Sequence, residues 1–306
     1  MKANLIIGTR QSLLALWQSN HIASLLRKQY PDCQVTLKKI VTKGDRILDV
    51  PLAQIGGKGL FTKEIETELL DGTVDLAVHS LKDMPTVLPE GLCLTAITTR
   101  ANVGDAFVSN KYASFSELPQ GAVLGTSSLR RKAQLLAVRP DLKIVDLRGN
   151  VDTRLRKLDE GQMDAIILAA AGLERLGHAD RIREIISTTV CLPAVGQGAL
   201  AIECRSDNKE VREMLAFLND LPTKHATDAE RAFLGLIEGG CQVPIGVHAE
   251  VENDNVKIEA VIASLDGSKV LRNNITGPAV NAADLGRKLG QQMLAEGGEQ
   301  ILADIL

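Results

Sequence analysis

Residues 4–12, Asn4-Leu5-Ile6-Ile7-Gly8-Thr9-Arg10-Gln11-Ser12, decide the fold. An apolar run of strand length ends in Gly-Thr. Ser12, whose side-chain oxygen can accept from the free N–H groups of a first helical turn, then opens a helix carried by Leu13, Leu16, Trp17, Ile22, Leu25 and Leu26. The unit is strand, tight turn, helix. It recurs over 122–137, where Val123-Leu124-Gly125-Thr126 ends in the same Gly-Thr pair and Ser127 or Ser128 caps the next helix. A second element recurs too. Leu70-Asp71-Gly72-Thr73-Val74-Asp75-Leu76-Ala77-Val78 matches Asp159-Glu160-Gly161-Gln162-Met163-Asp164-Ala165-Ile166-Ile167, each a helix end running into a strand through Gly-x-x-Asp. The chain therefore reads as α/β, with two lobes of related plan.

Lobe one takes residues 1–99 and receives the strand-like run Gly198-Ala199-Leu200-Ala201-Ile202-Glu203 as part of 200–217, while lobe two takes 105–193. Two crossings between lobes make a hinge. From Leu221-Pro222 the pattern changes to a helix through Ala229 to Ile237, a loop holding Cys241, three strands turning at Asn253-Asp254-Asn255 and Asp266-Gly267, and a helix from Ala282. Residues 222–306 thus form a small C-terminal α+β domain.

With 45% hydrophobic residues over 306 positions, each unit can bury its own core, which excludes a disordered or fibrous chain. A formal net charge of -3 gives no global attraction to nucleic acid or an anionic membrane, so anion binding must come from basic residues gathered locally. Aromatics at 3% argue against a stacking platform for single strands. Cys33, Cys93, Cys191, Cys204 and Cys241 are odd in number and contain no CxxC pair, so neither a disulfide framework nor a metal site is expected. The apolar run near the N-terminus is too short for a signal peptide or membrane helix, so a cytoplasmic location is expected.

The basic residues are where a ligand would be. Arg10, Lys82, Arg130, Arg131, Arg148 and Arg175 each lie just beyond a strand C-terminus, the edge at which open α/β sheets bind ligands and helix N-termini add backbone donors. Arg130, Arg131 and Arg154 fall in first helical turns, where an exposed cation opposes the helix dipole by roughly 0.3–1 kcal/mol, so an anion is needed to offset them. Arginine favours flat, bidentate partners, which points to carboxylates or phosphates.

Three further segments carry chemistry. Asp83, in His79-Ser80-Leu81-Lys82-Asp83-Met84-Pro85, places a carboxylate at the same edge, able to stabilise positive charge and move a proton; strand alternation turns His79 inward as a core residue. The stretch Ile55-Gly56-Gly57-Lys58-Gly59-Leu60-Phe61 fails the P-loop pattern because Gly59 follows Lys58, and reads either as a lid bringing Lys58 and Phe61 over a ligand or as a plain loop before a helix. Cys241, in Gly239-Gly240-Cys241-Gln242-Val243-Pro244, has no side-chain bulk on its N-terminal side, so a large electrophile could reach the sulfur; an ordinary loop cysteine is the alternative.

These runs, with Gly125-Thr126-Ser127-Ser128-Leu129-Arg130-Arg131, Leu147-Arg148-Gly149-Asn150 and Leu192-Pro193-Ala194-Val195-Gly196-Gln197-Gly198, resemble the hydroxymethylbilane synthase family, also called porphobilinogen deaminase, along essentially the whole chain. The resemblance implies two lobes like those of a periplasmic binding protein, a third domain, and a dipyrromethane cofactor held covalently by Cys241. It implies a transferase that deaminates porphobilinogen and joins four units head to tail, with Asp83 stabilising the cation on the pyrrole nitrogen. By matching position Lys82, Asp83, Ser128, Arg130 and Arg131 hold the cofactor, and Arg10, Ser12, Arg148, Arg154 and Arg175 the substrate carboxylates. It also implies a monomer that needs no metal, nucleic acid or membrane. Gln54 departs from the family, which carries lysine there, so no lid contact is carried over to it.

Two readings compete. A two-lobed, non-catalytic binding protein for a small carboxylate would use the same arginines and leave Cys241 inert, but the third domain and the clustered Asp83 argue against it. Nucleic-acid binding would need a basic face.

Overall fold

The computed structural model describes residues 2–46, 59–237, 243–303 and 305. The described residues fall into two compact units, one of residues up to 100 together with 199–224, the other of 101–198 together with 225 onward.

In the first unit, β1 (Asn4–Thr9), β2 (Gln34–Lys39), β3 (Leu76–Ser80), β4 (Leu92–Ile97) and β10 (Leu200–Arg205) form a sheet in the order β2-β1-β3-β10-β4. β1 runs parallel to β2 and β3, while β10 is antiparallel to both of its neighbours. Strand residues alternate between faces. Leu5 and Ile7 pack with Ile22 and Leu26 of α1 (Leu13–Gln29) on one face; Ala77 and Leu92 meet Ile65 and Leu69 of α2 (Lys63–Leu70) on the other. Ser12 caps α1 as expected, accepting from the Ala15 N–H at 3.3 Å. Leu26 is fully buried, and truncating such a leucine to alanine costs about 2–5 kcal/mol.

The second unit repeats this plan. β5 (Asp105–Val108), β6 (Val123–Gly125), β7 (Lys143–Val145), β8 (Ala165–Ala169) and β9 (Glu184–Ile186) lie in the order β7-β6-β8-β5-β9, with β6 parallel to β7 and β8 and β5 antiparallel to β8 and β9. Ser128, not Ser127, caps α3 (Leu129–Val138), accepting from the Arg131 N–H at 3.4 Å; Ser127 is engaged with the backbone of Leu147. α4 (Val151–Asp159) and α5 (Ala170–Arg175) precede and follow β8.

The Gly-x-x-Asp repeat has a physical basis. Gly72 and Gly161 adopt φ of 71° and 75°, the left-handed conformation that ends a helix at little cost only for glycine. The aspartate three residues on then accepts a backbone N–H of the neighbouring first strand. Asp75 Oδ2 takes the Ile6 N–H at 2.8 Å, and Asp164 Oδ2 takes the Val123 N–H at 2.9 Å. The motif therefore sets both the helix end and the strand register.

The C-terminal part consists of α6 (Leu221–Leu236) and an antiparallel sheet of β11 (Ile245–Glu252), β12 (Asn255–Ala263) and β13 (Val270–Pro278), followed by α7 (Ala282–Met293). The helix begins earlier than its apolar residues alone suggest, because Asp220 accepts from the Thr223 N–H at 3.0 Å and so supplies the cap. Asn253 and Asp254, at φ of 48° and 61°, make the two-residue hairpin turn between β11 and β12. Phe233, Ile258, Leu289 and Met293 join one core. Glu230, fully buried, ties this part to the 193–198 segment by accepting from Gly196 N–H at 2.7 Å and Ala249 N–H at 2.8 Å. Among the described residues no helix is long and apolar enough to cross a membrane.

Candidate active site

In the first unit a pocket opens at the C-terminal ends of β1 and β3, lined by Arg10, Ser12, Gln18, Phe61, Ser80 and Asp83 among others. β1 ends at Thr9 and delivers Arg10 to the rim. β3 ends at Ser80, and a single 3-10 turn, Leu81–Asp83, anchored by the buried Leu81, leaves Lys82 half-buried and Asp83 exposed. The Leu81 N–H donates to the Ala199 carbonyl at 3.0 Å, which fixes this turn against the segment leading into β10. The Arg10 guanidinium carbon lies 4.2 Å from the centre of the Phe61 ring, a cation–π distance. Gln18 donates to Ser80 Oγ at 2.8 Å.

His79 is the inward residue that strand alternation requires, with Nε2 3.0 Å from Glu203 Oε2. Glu203 Oε1 and Glu66 Oε1 are buried without a hydrogen-bond partner. Burial raises the pKa of the Glu66 carboxyl above its ordinary value, opposed by the Thr62 hydroxyl and reinforced by the nearby Glu203.

In the second unit the anion that offsets the dipole of α3 comes from within the protein. Asp105 heads β5, is fully buried, and receives both guanidinium groups: Arg130 Nη1 donates to Oδ2 at 2.6 Å and Arg131 Nη2 to Oδ1 at 2.7 Å. Gln197 adds a donor at 2.9 Å. Burial alone would raise the Asp105 pKa, but the two arginines overcome it and hold the carboxyl well below the usual range. The buried Cys191 thiol beside it is pushed up to about 12, first by burial and then by Asp105. Arg130 and Arg131 are thus buried at 5% and 6% exposure, where the first-turn position alone suggested exposed cations.

The other predicted cations are half-buried. Arg148 follows β7; Arg154 Nε donates to the Gly149 carbonyl at 2.8 Å; Arg175 Nη2 donates to the Gly198 carbonyl at 2.7 Å, and burial lowers its pKa. Of the predicted site residues, Arg10, Ser12, Phe61 and Asp83 share one pocket with Lys82 adjoining in the chain, and Ser128, Arg130 and Arg131 share one helix N-terminus. Lys58, Gln54 and Cys241 lie outside the described residues. Sequence reasoning passed over Asp105, Gln18, Gln197 and Glu203. Asp105 and Glu203 had a signal, each a lone carboxylate in an apolar strand: Asp105 before Ala106-Phe107-Val108 and Glu203 after Leu200-Ala201-Ile202.

In the first unit, an arginine and a serine lining one pocket suit a ligand that bears a carboxylate. In the second, two guanidinium groups stand against one carboxylate at the α3 N-terminus, leaving a net positive charge there. Among the described residues no cluster of three His, Cys, Asp or Glu side chains could hold a metal ion.

The family model described as "Porphobilinogen deaminase, dipyromethane cofactor binding domain" matches residues 5–213, and that described as "Porphobilinogen deaminase, C-terminal domain" matches 225–295. The chain is 55% identical over 299 residues to the porphobilinogen deaminase of Geobacter sulfurreducens, covering 98% of this chain and 94% of the relative. It is 56% identical over 299 residues to that of Trichlorobacter lovleyi, covering 98% and 96%. Among solved structures, a methionine-binding protein, MetQ, superposes with a TM-score of 0.46 at 16% identity, covering 71% of this chain and 89% of that one. Two family models spanning most of the chain, and relatives of such identity over nearly its whole length, place it in one family: the chain belongs to the porphobilinogen deaminases.

Proposed function

We propose that this chain deaminates porphobilinogen and joins four units head to tail into hydroxymethylbilane, with Asp83 as the catalytic carboxylate and Cys241 as the thioether anchor of a dipyrromethane cofactor. The observation that carries the assignment of Asp83 is its place at the rim of the first-unit pocket, exposed, in the same lining as Arg10 and Ser12. When bound, the dipyrromethane supplies the free pyrrole α-carbon from which the product chain grows. Lys82, Ser128, Arg130 and Arg131 hold its carboxylates, the two arginines acting from the fixed positions that Asp105 gives them.

Arg10, Ser12, Arg148, Arg154 and Arg175 bind the acetate and propionate groups of porphobilinogen, and so orient its aminomethyl carbon. Asp83 accepts a hydrogen bond from the pyrrole N–H of the substrate. As ammonia departs, positive charge grows on that nitrogen, and an anion already in place stabilises it without reorganisation. Its carboxylate oxygen is also the acceptor for the proton the ring must lose, a role worth about 10²–10⁴-fold in rate. Phe61 covers the carboxylate-bound ring from its position against Arg10, with Lys58 as the second lid residue of the same segment in the chain. The chain works as a cytoplasmic monomer without nucleic acid or membrane. Residues 1–99 with 200–217, 105–193 and 222–306 act as its three domains.

The test is the intact mass of the denatured protein beside Cys241→Ala, together with ammonia release from porphobilinogen. A two-pyrrole mass excess confined to the wild type, with ammonia released, is expected. An unmodified wild-type chain that binds porphobilinogen reversibly and releases no ammonia would overturn the assignment in favour of a binding protein.

A further inference from the structure

A pair of thiols lies away from this pocket. Cys93 on β4 and Cys204 on β10 are direct register partners across an antiparallel strand pair. Directly opposed residues project to the same face of a sheet with Cα atoms about 4.5–5.5 Å apart, within the roughly 4.4–6.8 Å that a disulfide spans. Both side chains meet the same core, Cys204 inside it and Cys93 packed against it, and both are free thiols. Other described cysteines lack such a neighbour: Cys191 is committed to Asp105, and the buried Cys33 thiol faces the Gln34 carbonyl.

The sulfurs are unequal. Cys93 is half-buried and reachable from solvent, whereas Cys204 is fully buried. The Cys204 thiol is pushed up to about 12, first by burial and then by the neighbouring Cys93. The accessible member is therefore the one an oxidant meets, and the buried member waits beside it as a thiol.

We propose that Cys93 and Cys204 are a redox-active dithiol that closes to a disulfide when a hydroperoxide reaches Cys93. The Cys93 sulfur attacks the O–O bond of hydrogen peroxide, giving a sulfenic acid and one water. The Cys204 sulfur then forms the S–S bond, displacing the sulfenic oxygen, which leaves as a second water with the Cys204 proton. Two sulfurs are oxidised by one electron each, and one peroxide is reduced by two.

The position gives the bond a definite effect. Residues 94–203, which include the whole 101–198 segment of the second unit, lie between the two sulfurs. A disulfide here ties the strand by which the chain leaves the first unit to the strand by which it returns. It does so four residues along β10 from Leu200, whose partner Ser80 borders the pocket, a distance of about 13 Å at strand rise.

Reduced holoprotein, freed of reductant and exposed to hydrogen peroxide, is unfolded in N-ethylmaleimide and its peptides are mapped by mass. The expected result is a peptide pair joined through Cys93 and Cys204, both lost from the alkylated set and both restored by dithiothreitol. Cys204→Ser leaves a Cys93 sulfenic acid that dimedone traps; Cys93→Ser turns over porphobilinogen like the wild type and leaves Cys204 fully alkylated after peroxide. Cys93 recovered as a sulfinic acid with Cys204 still alkylated, or both thiols untouched, would overturn the proposal. The wild-type map decides this even where a variant fails to fold.

Discussion

Arg130 donates to Asp105 across 2.6 Å in a region closed to solvent, and the same carboxylate also serves Arg131. Two cations therefore depend on one anion. Breaking a buried ion pair by removing one partner typically costs about 3–5 kcal/mol, because the remaining charge is left uncompensated. Asp105→Asn leaves two guanidinium groups without an anion, so its urea midpoint falls by an amount corresponding to at least that range. A midpoint within experimental error of the wild type would show that the arginines are balanced from elsewhere.

The same carboxylate governs the acid limb. Its folded pKa lies below the unfolded value of about 3.9, so its contribution to stability is fully present above that value and is lost as pH falls through the folded pKa. Wild-type stability falls below about pH 4, and Asp105→Asn, already weaker, shows a shallower fall over the same window. Parallel acid limbs for the two proteins, measured by urea unfolding at each pH, would assign the acid sensitivity to other carboxylates.

Glu66 behaves in the opposite sense. Burial raises its folded pKa, so its favourable contribution is complete below the unfolded value of about 4.3 and is lost as pH rises through the folded one. Glu66→Gln removes the ionisation. Its stability relative to wild type improves as pH rises through that window and converges as pH falls. Thermal melts at matched pH check this, and a gap that stays constant with pH contradicts it.

Asp83 is exposed and makes no demand on the core, so its replacement separates chemistry from folding. Asp83→Asn is expected to melt as the wild type does and to carry the same cofactor mass, while turnover falls by about 10²–10⁴-fold, the usual worth of a positioned acid or base. Single-turnover ammonia release checks this. Near-normal release would move the catalytic role to another group.

The repeat of strand, turn and helix was legible because its signals are local: Gly-Thr at the strand end, a serine at each cap (Ser12 in one unit, Ser127 or Ser128 in the other), and a glycine with an aspartate three residues on at each helix end. The cation positions were legible for the same reason, since each follows a strand by a few residues. The anion beneath Arg130 and Arg131 was not, because Asp105 precedes them by some twenty-five residues and meets them only once β5 is laid between β8 and β9. Glu203 likewise meets His79 across 124 positions, through the pairing of β10 with β3. Contacts made by sheet order leave no periodic trace in the chain.

Strand order also sets a schedule for synthesis. Among the described residues, β4 is an edge strand whose one hydrogen-bonded neighbour in the sheet is β10. A nascent chain that has passed residue 100 but not residue 200 carries β4 with no strand to pair, while the sheet of the second unit can already be completed from a continuous stretch of chain. Of the two five-stranded sheets, the one whose strands leave the ribosome first is thus completed second. Until β10 arrives, its apolar strands depend on being shielded from other chains.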